Sequence, residues 1–114
     1  MIRRVILNLL RNAVEAIQSN PETNRQLTIQ GSLETDQNNE NWVNITIEDN
    51  GLGIKTEDLA FVFVPFFTTK QSGHGLGLAL SYRIVAQHNG LLSVENSASG
   101  GAIFTLKLKV SGEV

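Results

Sequence analysis

The sequence predicts an α+β fold, a two-layer α/β sandwich in which helices cover one face of a mixed β-sheet. Two segments have apolar residues at helical spacing, and four segments alternate apolar with polar residues as strands do. The helices are residues 2–19 and 78–88, and the strands are residues 26–33, 42–49, 91–95 and 102–110. Two strands follow each helix, so we expect two hairpins within one sheet.

The composition is that of one globular domain, spanning residues 1–114. Hydrophobic residues make up 41% of the 114 residues and charged residues 18%, which disfavours disorder. The absence of cysteine excludes disulfides and thiolate zinc sites, and a net charge of -2 gives no basic surface for nucleic acid. No apolar run approaches the length of a membrane span, and no signal peptide follows Met1. We therefore expect a cytoplasmic domain without membrane contact.

The first helix carries a narrow polar stripe on an otherwise apolar surface. Its members fall within an arc of roughly 100°, and they are Arg4, Asn8, Arg11, Asn12 and Glu15. A solvent-exposed face is the simpler interpretation. Asparagine is nevertheless a poor residue inside a helix, because its side chain competes for the backbone. The choice of Asn8 and Asn12 therefore favours a role in ligand binding.

The first hairpin connects its strands through the polar residues 34–41. In its first strand, Leu27, Ile29 and Leu33 are predicted to point into the core, because alternate residues share one face. Beyond the second strand, Thr56 is predicted to be the N-cap of a short helix with acidic residues in its first turn.

The second strand ends in the sequence Asp-Asn-Gly-Leu-Gly, residues 49–53. A strand holds Asp49 rigidly at the edge of the core, and the two glycines that follow allow a sharp turn or the close approach of a ligand. An ordinary turn explains the same residues, since Asp, Asn and Gly are common turn formers. The segment gains functional meaning only from its neighbours.

Residues 63–77 form a long loop that becomes glycine-rich immediately before the second long helix. Gly73, Gly75 and Gly77 bring free backbone N–H groups to a helix N-terminus, where anions bind well, and Lys70 adds a positive charge. A flexible linker is the alternative. The spacing matches neither a dinucleotide-binding fingerprint nor a P-loop.

Four segments, in chain order, resemble the N, G1, F and G2 boxes of the catalytic ATP-binding domain of bacterial two-component sensor histidine kinases. They are residues 8–16, 49–54, 63–70 and 73–78. The sequences Asn-Ala-Val-Glu-Ala and Pro-Phe-Phe-Thr-Thr-Lys are most similar to the nitrogen-regulation and oxygen-sensor type. The resemblance implies the Bergerat fold of the GHKL group, with ATP and Mg²⁺ as ligands.

The resemblance also implies roles for single residues. Asp49 would accept a hydrogen bond from the exocyclic amine of adenine, and Gly51 and Gly53 would let the base lie against the backbone. Asn12 would give its amide oxygen to Mg²⁺, a hard cation that prefers oxygen, and Asn8 would lie near the same phosphates.

The triphosphate would lie at the glycine-rich loop and its lid. The residues implied to donate backbone N–H groups to it are Gly73, Gly75, Leu76 and Gly77. Lys70 would approach the phosphates from the lid, which Phe63, Pro65 and Phe66 would anchor. No catalytic residue within the chain is implied.

These roles predict a kinase domain that transfers the γ-phosphoryl group to a histidine on a separate dimerisation domain, with a response regulator downstream. Hydrolases of the same fold have a glutamate where this chain has Asn8, so we expect negligible hydrolysis. The motifs of the dimerisation domain and the strand before the N box do not occur in the chain. We therefore expect a truncated domain that is monomeric and cannot phosphorylate itself. A degenerate docking module remains the alternative, and a serine-directed anti-sigma kinase ranks below it.

Overall fold

The computed structural model describes residues 2–18, 25–65, 67, 77–98 and 100–110. These residues form two α-helices, one short 3₁₀ helix and four strands. Their bounds are α1 Ile2–Gln18, β1 Leu27–Thr35, β2 Asn41–Asp49, the 3₁₀ helix Thr56–Phe61, α2 Gly77–Gln87, β3 Leu91–Asn96 and β4 Ala102–Lys109. The predicted α+β fold and its order of helices and strands are confirmed.

The four strands form one sheet in the order β1-β2-β4-β3. Both predicted hairpins are present, and β4 joins them by pairing with β2, with Phe104 opposite Ile47. Every pairing among the described residues is antiparallel, so the prediction of a mixed sheet was wrong for this part of the chain. Each strand runs against its neighbour because the two hairpins meet with β2 and β4 in opposite directions.

The core lies between the sheet and the two helices. From α1 it takes one residue per turn, Val5, Leu9 and Ala13, which lie on a single face of the helix. The sheet contributes Ile47, Phe104 and Leu106, and α2 contributes Ser81, Ile84 and Val85. Leu80, an apolar residue of the same helix, is 43% exposed, whereas Ser81 is buried. The buried face of α2 follows the spacing of positions 81, 84 and 85, and Leu80 lies outside it.

Strand β1 is exposed on the face where the sequence predicted core residues. Leu27, Ile29 and Leu33 do share one face, but Ile29 is 55% exposed and Leu33 is 80% exposed. Helix α1 packs chiefly against β2 and α2 and contacts β1 little. The prediction of alternation was therefore right, and the prediction of burial was wrong for these two residues.

The hairpin turn before β2 and the short helix after it have details that the sequence did not predict. At the hairpin, Asp36 Oδ1 accepts the backbone N–H groups of Asn38 at 2.8 Å and Glu40 at 2.9 Å. The short helix is 3₁₀ rather than α, and Lys55 rather than Thr56 occupies its N-cap, without a side-chain capping bond. Among the described residues, no helix has the length and apolar character needed to cross a bilayer.

Candidate functional site

Asp49 is a buried carboxylate with one satisfied and one unsatisfied oxygen. It ends β2 and is 1% exposed. Its Oδ1 accepts the backbone N–H of Gly51 at 2.9 Å and that of Ala102 at 3.3 Å. Its Oδ2 is also buried and has no hydrogen-bond partner among the described residues. Because an unpaired buried acceptor is costly, Oδ2 marks a position where a ligand donor fits.

The backbone segments around the Asp49 turn pack closely against one another. At Gly51 and Gly101 this packing leaves no room for a side chain. A Cβ on Gly51 would overlap the carbonyl oxygen of Ala16 in the last turn of α1. A Cβ on Gly101 would lie 2.6 Å from Asp49 Oδ1 and would overlap the carbonyl oxygen of Asp49. Gly53 has a φ of 77°, in the left-handed region that favours glycine. The positive φ of Gly53 agrees with the predicted sharp turn, and the predicted close approach of a ligand to Gly51 and Gly53 stays a prediction.

Helix α1 contacts both the Asp49 turn and α2. Ala16, which contacts Gly51, lies one turn beyond Asn12 and two turns beyond Asn8, a span of about 12 Å along the helix axis. Asn8 Nδ2 donates to Ser81 Oγ at 3.3 Å, and Ser81 Oγ donates to the carbonyl oxygen of Gly77 at 2.9 Å. One side of α1 therefore joins the Asp49 turn to the first turn of α2.

The loop after Asp49 is held from the other side by Asn96 at the end of β3. Asn96 Oδ1 accepts the backbone N–H of Ile54 at 2.9 Å, and its Nδ2 donates to the carbonyl oxygen of Ile54 at 2.7 Å. This pair of bonds fixes the backbone where the turn ends.

Several predicted site residues lie outside the described residues: Phe66, Lys70, Gly73, Gly75 and Leu76. Gly77 is described and begins α2. Phe63 is also described, with its ring centroid 5.0 Å from that of Tyr82 and 6.3 Å from that of Phe104. Phe63 thus contacts α2 and the core.

Four residues that shape the site were not predicted: Ser81, Asn96, Gly101 and Ala102. A sequence signal for Gly101 exists, since two adjacent glycines, Gly100 and Gly101, directly precede the last predicted strand. Ser81 and Asn96 gave no local signal, because their partners are distant in the sequence.

The described residues contain no cluster of three or more His, Asp or Glu side chains placed to hold a metal ion. A cavity of about 430 Å³ lies at the opposite end of the sheet, where its lining includes Asn39, His88 and Lys109. That lining contains none of the predicted site residues. It also has no buried, unpartnered side-chain polar atom, so the Asp49 region remains the better candidate site.

Comparison with known proteins gives consistent matches. The family of histidine kinase-, DNA gyrase B- and HSP90-like ATPases matches residues 1–112. The sensor histidine kinase ZraS of Salmonella typhimurium is 41% identical over 109 residues, which are 96% of this chain and 22% of ZraS. The histidine-protein kinase AtoS of Escherichia coli is 41% identical over 111 residues, which are 97% of this chain and 17% of AtoS.

Solved structures agree with this assignment. The catalytic domain of the histidine kinase ThkA, in a nucleotide-free form, matches with a TM-score of 0.76 and 31% identity, covering 95% of this chain and 65% of that one. The chain spans about a fifth of the length of the curated relatives named above. The resemblance carried by the four motifs is confirmed, and the chain belongs to the histidine kinase-, DNA gyrase B- and HSP90-like ATPase family, with sensor histidine kinases among its relatives.

Proposed function

We propose that this domain binds Mg-ATP and positions the γ-phosphoryl group for transfer to a histidine on a separate dimerisation domain, from which a response regulator receives it. The observation that carries this proposal is the buried Oδ2 of Asp49, which has no partner among the described residues. The chain spans about a fifth of its curated relatives, which leaves room in a parent kinase for the phosphoacceptor. The proposal includes a cytoplasmic location, because the reaction needs ATP and ATP is available there.

Adenine recognition is assigned to Asp49 and the glycines beside it. The exocyclic amine of adenine is a donor, and Oδ2 of Asp49 is an acceptor that lacks one. Since two backbone N–H groups hold Oδ1, the carboxylate is already oriented before the base arrives. Gly51 and Gly53 would shape the backbone turn against which the base would lie.

Phosphate and Mg²⁺ binding are assigned to the polar stripe of α1. Asn12 is the proposed metal ligand, through its amide oxygen, with Asn8 beside the same phosphates. Mg²⁺ prefers oxygen ligands and retains several waters, so one amide together with phosphate oxygens is sufficient. Gly77 begins α2 and would offer its N–H to the triphosphate, whose negative charge suits a helix N-terminus. The same proposal covers Lys70, Gly73, Gly75 and Leu76.

Transfer is favoured over hydrolysis because Asn8 cannot accept a proton from water. In phosphoryl transfer, positioning and charge neutralisation supply most of the catalysis, so a domain that holds Mg-ATP is sufficient on this side of the reaction. We expect the isolated chain to bind ATP and to form no phosphohistidine. A stable phosphohistidine in the isolated chain would contradict this.

The metal assignment is tested by nucleotide titration with and without Mg²⁺. The variant Asn12→Ala should bind ATP equally well in both conditions, whereas the wild type should bind more tightly with Mg²⁺. Gln18→Ala, an exposed position on the same helix, is the matched control and should behave as the wild type. If Asn12→Ala retains the Mg²⁺ effect, the ligand assignment is wrong. If the folded wild type binds no nucleotide, a docking module becomes the better interpretation.

A further inference from the structure

The Asp49 turn, residues 49–54, is held at both ends by one segment of the sheet, the β3–β4 turn Asn96–Ala102. At the start of the Asp49 turn, Ala102 donates its backbone N–H to Asp49 Oδ1 at 3.3 Å. At the end of the Asp49 turn, the side chain of Asn96 forms two hydrogen bonds with Ile54. Asn96 and Ala102 lie directly opposite each other as the last pair of the β3–β4 ladder. The two attachments therefore come from neighbouring points of one hairpin.

The side-chain amide of Asn96 matches the backbone groups that it contacts. Its Oδ1 accepts the N–H of Ile54 at 2.9 Å, and its Nδ2 donates to the carbonyl oxygen of Ile54 at 2.7 Å. An asparagine amide can do this because it has an acceptor and a donor side by side. A carboxylate lacks the donor, and an aliphatic side chain lacks both groups. Asn96 therefore fixes both backbone polar groups of Ile54 in a way that few other residues can.

The β3–β4 turn also packs closely against the Asp49 turn. A Cβ on Gly53 would be 2.6 Å from the carbonyl oxygen of Gly100 and 3.2 Å from Asn96 Oδ1. A Cβ on Gly101 would overlap the carbonyl oxygen of Asp49. Because closely packed groups transmit displacements, a shift of one turn would move the other.

Strand β1 supports the Asp49 turn near its start. Asn50 donates its backbone N–H to the carbonyl oxygen of Gln26 at 3.2 Å, and Asn50 Oδ1 accepts the N–H of Gln26 at 2.8 Å. Leu52, in the middle of the turn, is 71% exposed and gains little support from burial. The two bonds from Asn96 to Ile54 therefore act where the turn has left β1.

We infer that Asn96 is a positioning residue for the nucleotide base. It holds the Asp49 turn in the shape in which Asp49 Oδ2 is buried and lacks a partner among the described residues. Asn96 acts through this turn rather than through contact with ATP, because the donor and the acceptor of its amide are both bonded to Ile54. The inference rests on the proposed function, since it takes the ligand of Asp49 to be ATP.

Titration of the folded Asn96→Ala variant with Mg-ATP tests this role. Loss of the two bonds to Ile54 should weaken ATP binding by about three- to tenfold, the range for ordinary hydrogen bonds. Asn41→Ala is the matched control, because Asn41 is an exposed asparagine at the opposite end of β2 whose Oδ1 accepts the hydroxyl group of Thr35 at 2.9 Å. The control should bind ATP as the wild type does. Unchanged affinity in Asn96→Ala, or an equal loss in Asn41→Ala, would overturn the inference.

A double-mutant cycle with Asp49→Asn separates positioning from a general loss of stability. If Asn96 acts through Asp49, most of the loss caused by Asn96→Ala should disappear in the Asp49→Asn background, because the carboxylate that it positions is gone. The same loss in both backgrounds would overturn the inference. If the folded wild type binds no ATP, the proposed function fails and the inference fails with it. If the wild type binds ATP and Asn96→Ala binds it equally well, the inference alone fails.

Amide hydrogen exchange tests the hold on the turn without a nucleotide. In the Asn96→Ala variant, the amides of Ile54, Gly51 and Ala102 should all exchange faster than in the wild type. The first is bonded to Asn96, and the other two are bonded to the carboxylate that the turn positions. The amide of Gly90, which is hydrogen-bonded just beyond α2, should not change. Faster exchange at Ile54 alone would show that Asn96 does not position the carboxylate and would overturn the inference.

Discussion

Asp49 Oδ1 accepts the N–H of Gly51, two residues further along the chain, at 2.9 Å. This bond closes the turn that begins at the end of β2, and with the N–H of Ala102 it fixes which oxygen of the carboxylate remains for a ligand. The orientation is therefore set by backbone groups. A side-chain amide at position 49 would have to keep its oxygen toward the same two donors, which would place its NH₂ group where Oδ2 now lies.

Gly51 should tolerate no larger residue. In Gly51→Ala the added methyl group meets the carbonyl oxygen of Ala16, so the turn or the end of α1 must shift. We expect the free energy of unfolding to fall by about 1–3 kcal/mol, as for other overpacked positions. Urea denaturation followed by circular dichroism measures this.

Gly31→Ala is the control for that experiment, because a Cβ at Gly31 would be 3.9 Å from its nearest neighbour. Its free energy of unfolding should change by less than about 1 kcal/mol. Equal losses in the two variants would mean that the contact between Gly51 and Ala16 does not limit the packing.

Ser81 should be a positioning residue for the asparagine stripe. Its hydroxyl group accepts from Asn8 and donates to the carbonyl oxygen of Gly77, and Ser81→Ala removes both bonds. We expect stability to fall by about 1 kcal/mol and ATP affinity to fall by up to about tenfold, equivalent to 1.4 kcal/mol, because Asn8 loses its orientation. Ser93→Ala, at an exposed position of β3, should change neither quantity. Unchanged affinity in a folded Ser81→Ala variant would limit Ser81 to a structural role.

The hairpin turn should weaken at acidic pH through Asp36. The indole N–H of Trp42 donates to Asp36 Oδ2 at 3.0 Å, and this bond, together with the N–H groups of Glu40 and Asn38, lowers the pKa of the carboxyl group. A pKa that is lower in the folded state stabilises the protein above the ordinary carboxyl pKa. That contribution is lost as the pH falls through the folded pKa.

Comparison with Asp36→Asn isolates this effect from other carboxylates. The difference in unfolding free energy between wild type and variant should be constant near neutral pH and should shrink as the pH falls below the ordinary Asp range. Trp42 is the only tryptophan, so its fluorescence reports on the turn directly. A difference that does not change with pH would contradict the role of the Trp42 bond. Glu34, whose pKa the Asn44 amide and Lys107 lower, is present in both proteins, so only the part of its titration that depends on the charge of Asp36 enters the difference.

The sequence predicted those features that local patterns determine. Alternation placed β2 and made Asp49 its last residue, and helical spacing placed α1. It could not predict that Leu33 is exposed, because that depends on where α1 packs over the sheet. The roles of Ser81 and Asn96 could not be predicted for the same reason. Their hydrogen-bond partners, Asn8 and Ile54, are brought near them only by the tertiary fold.

The most direct test of the central claim is calorimetric titration of the wild type and Asp49→Asn with ATP and with inosine triphosphate, whose 6-oxo group accepts a hydrogen bond. The wild type should prefer ATP. In Asp49→Asn the amide NH₂ would face the amine of adenine, so we expect ATP affinity to fall by roughly 10- to 150-fold, corresponding to the 1.5–3 kcal/mol of a hydrogen bond to a charged group. The preference should shift toward inosine triphosphate. Unchanged ATP affinity in a folded Asp49→Asn variant would contradict the assignment of Asp49 to adenine.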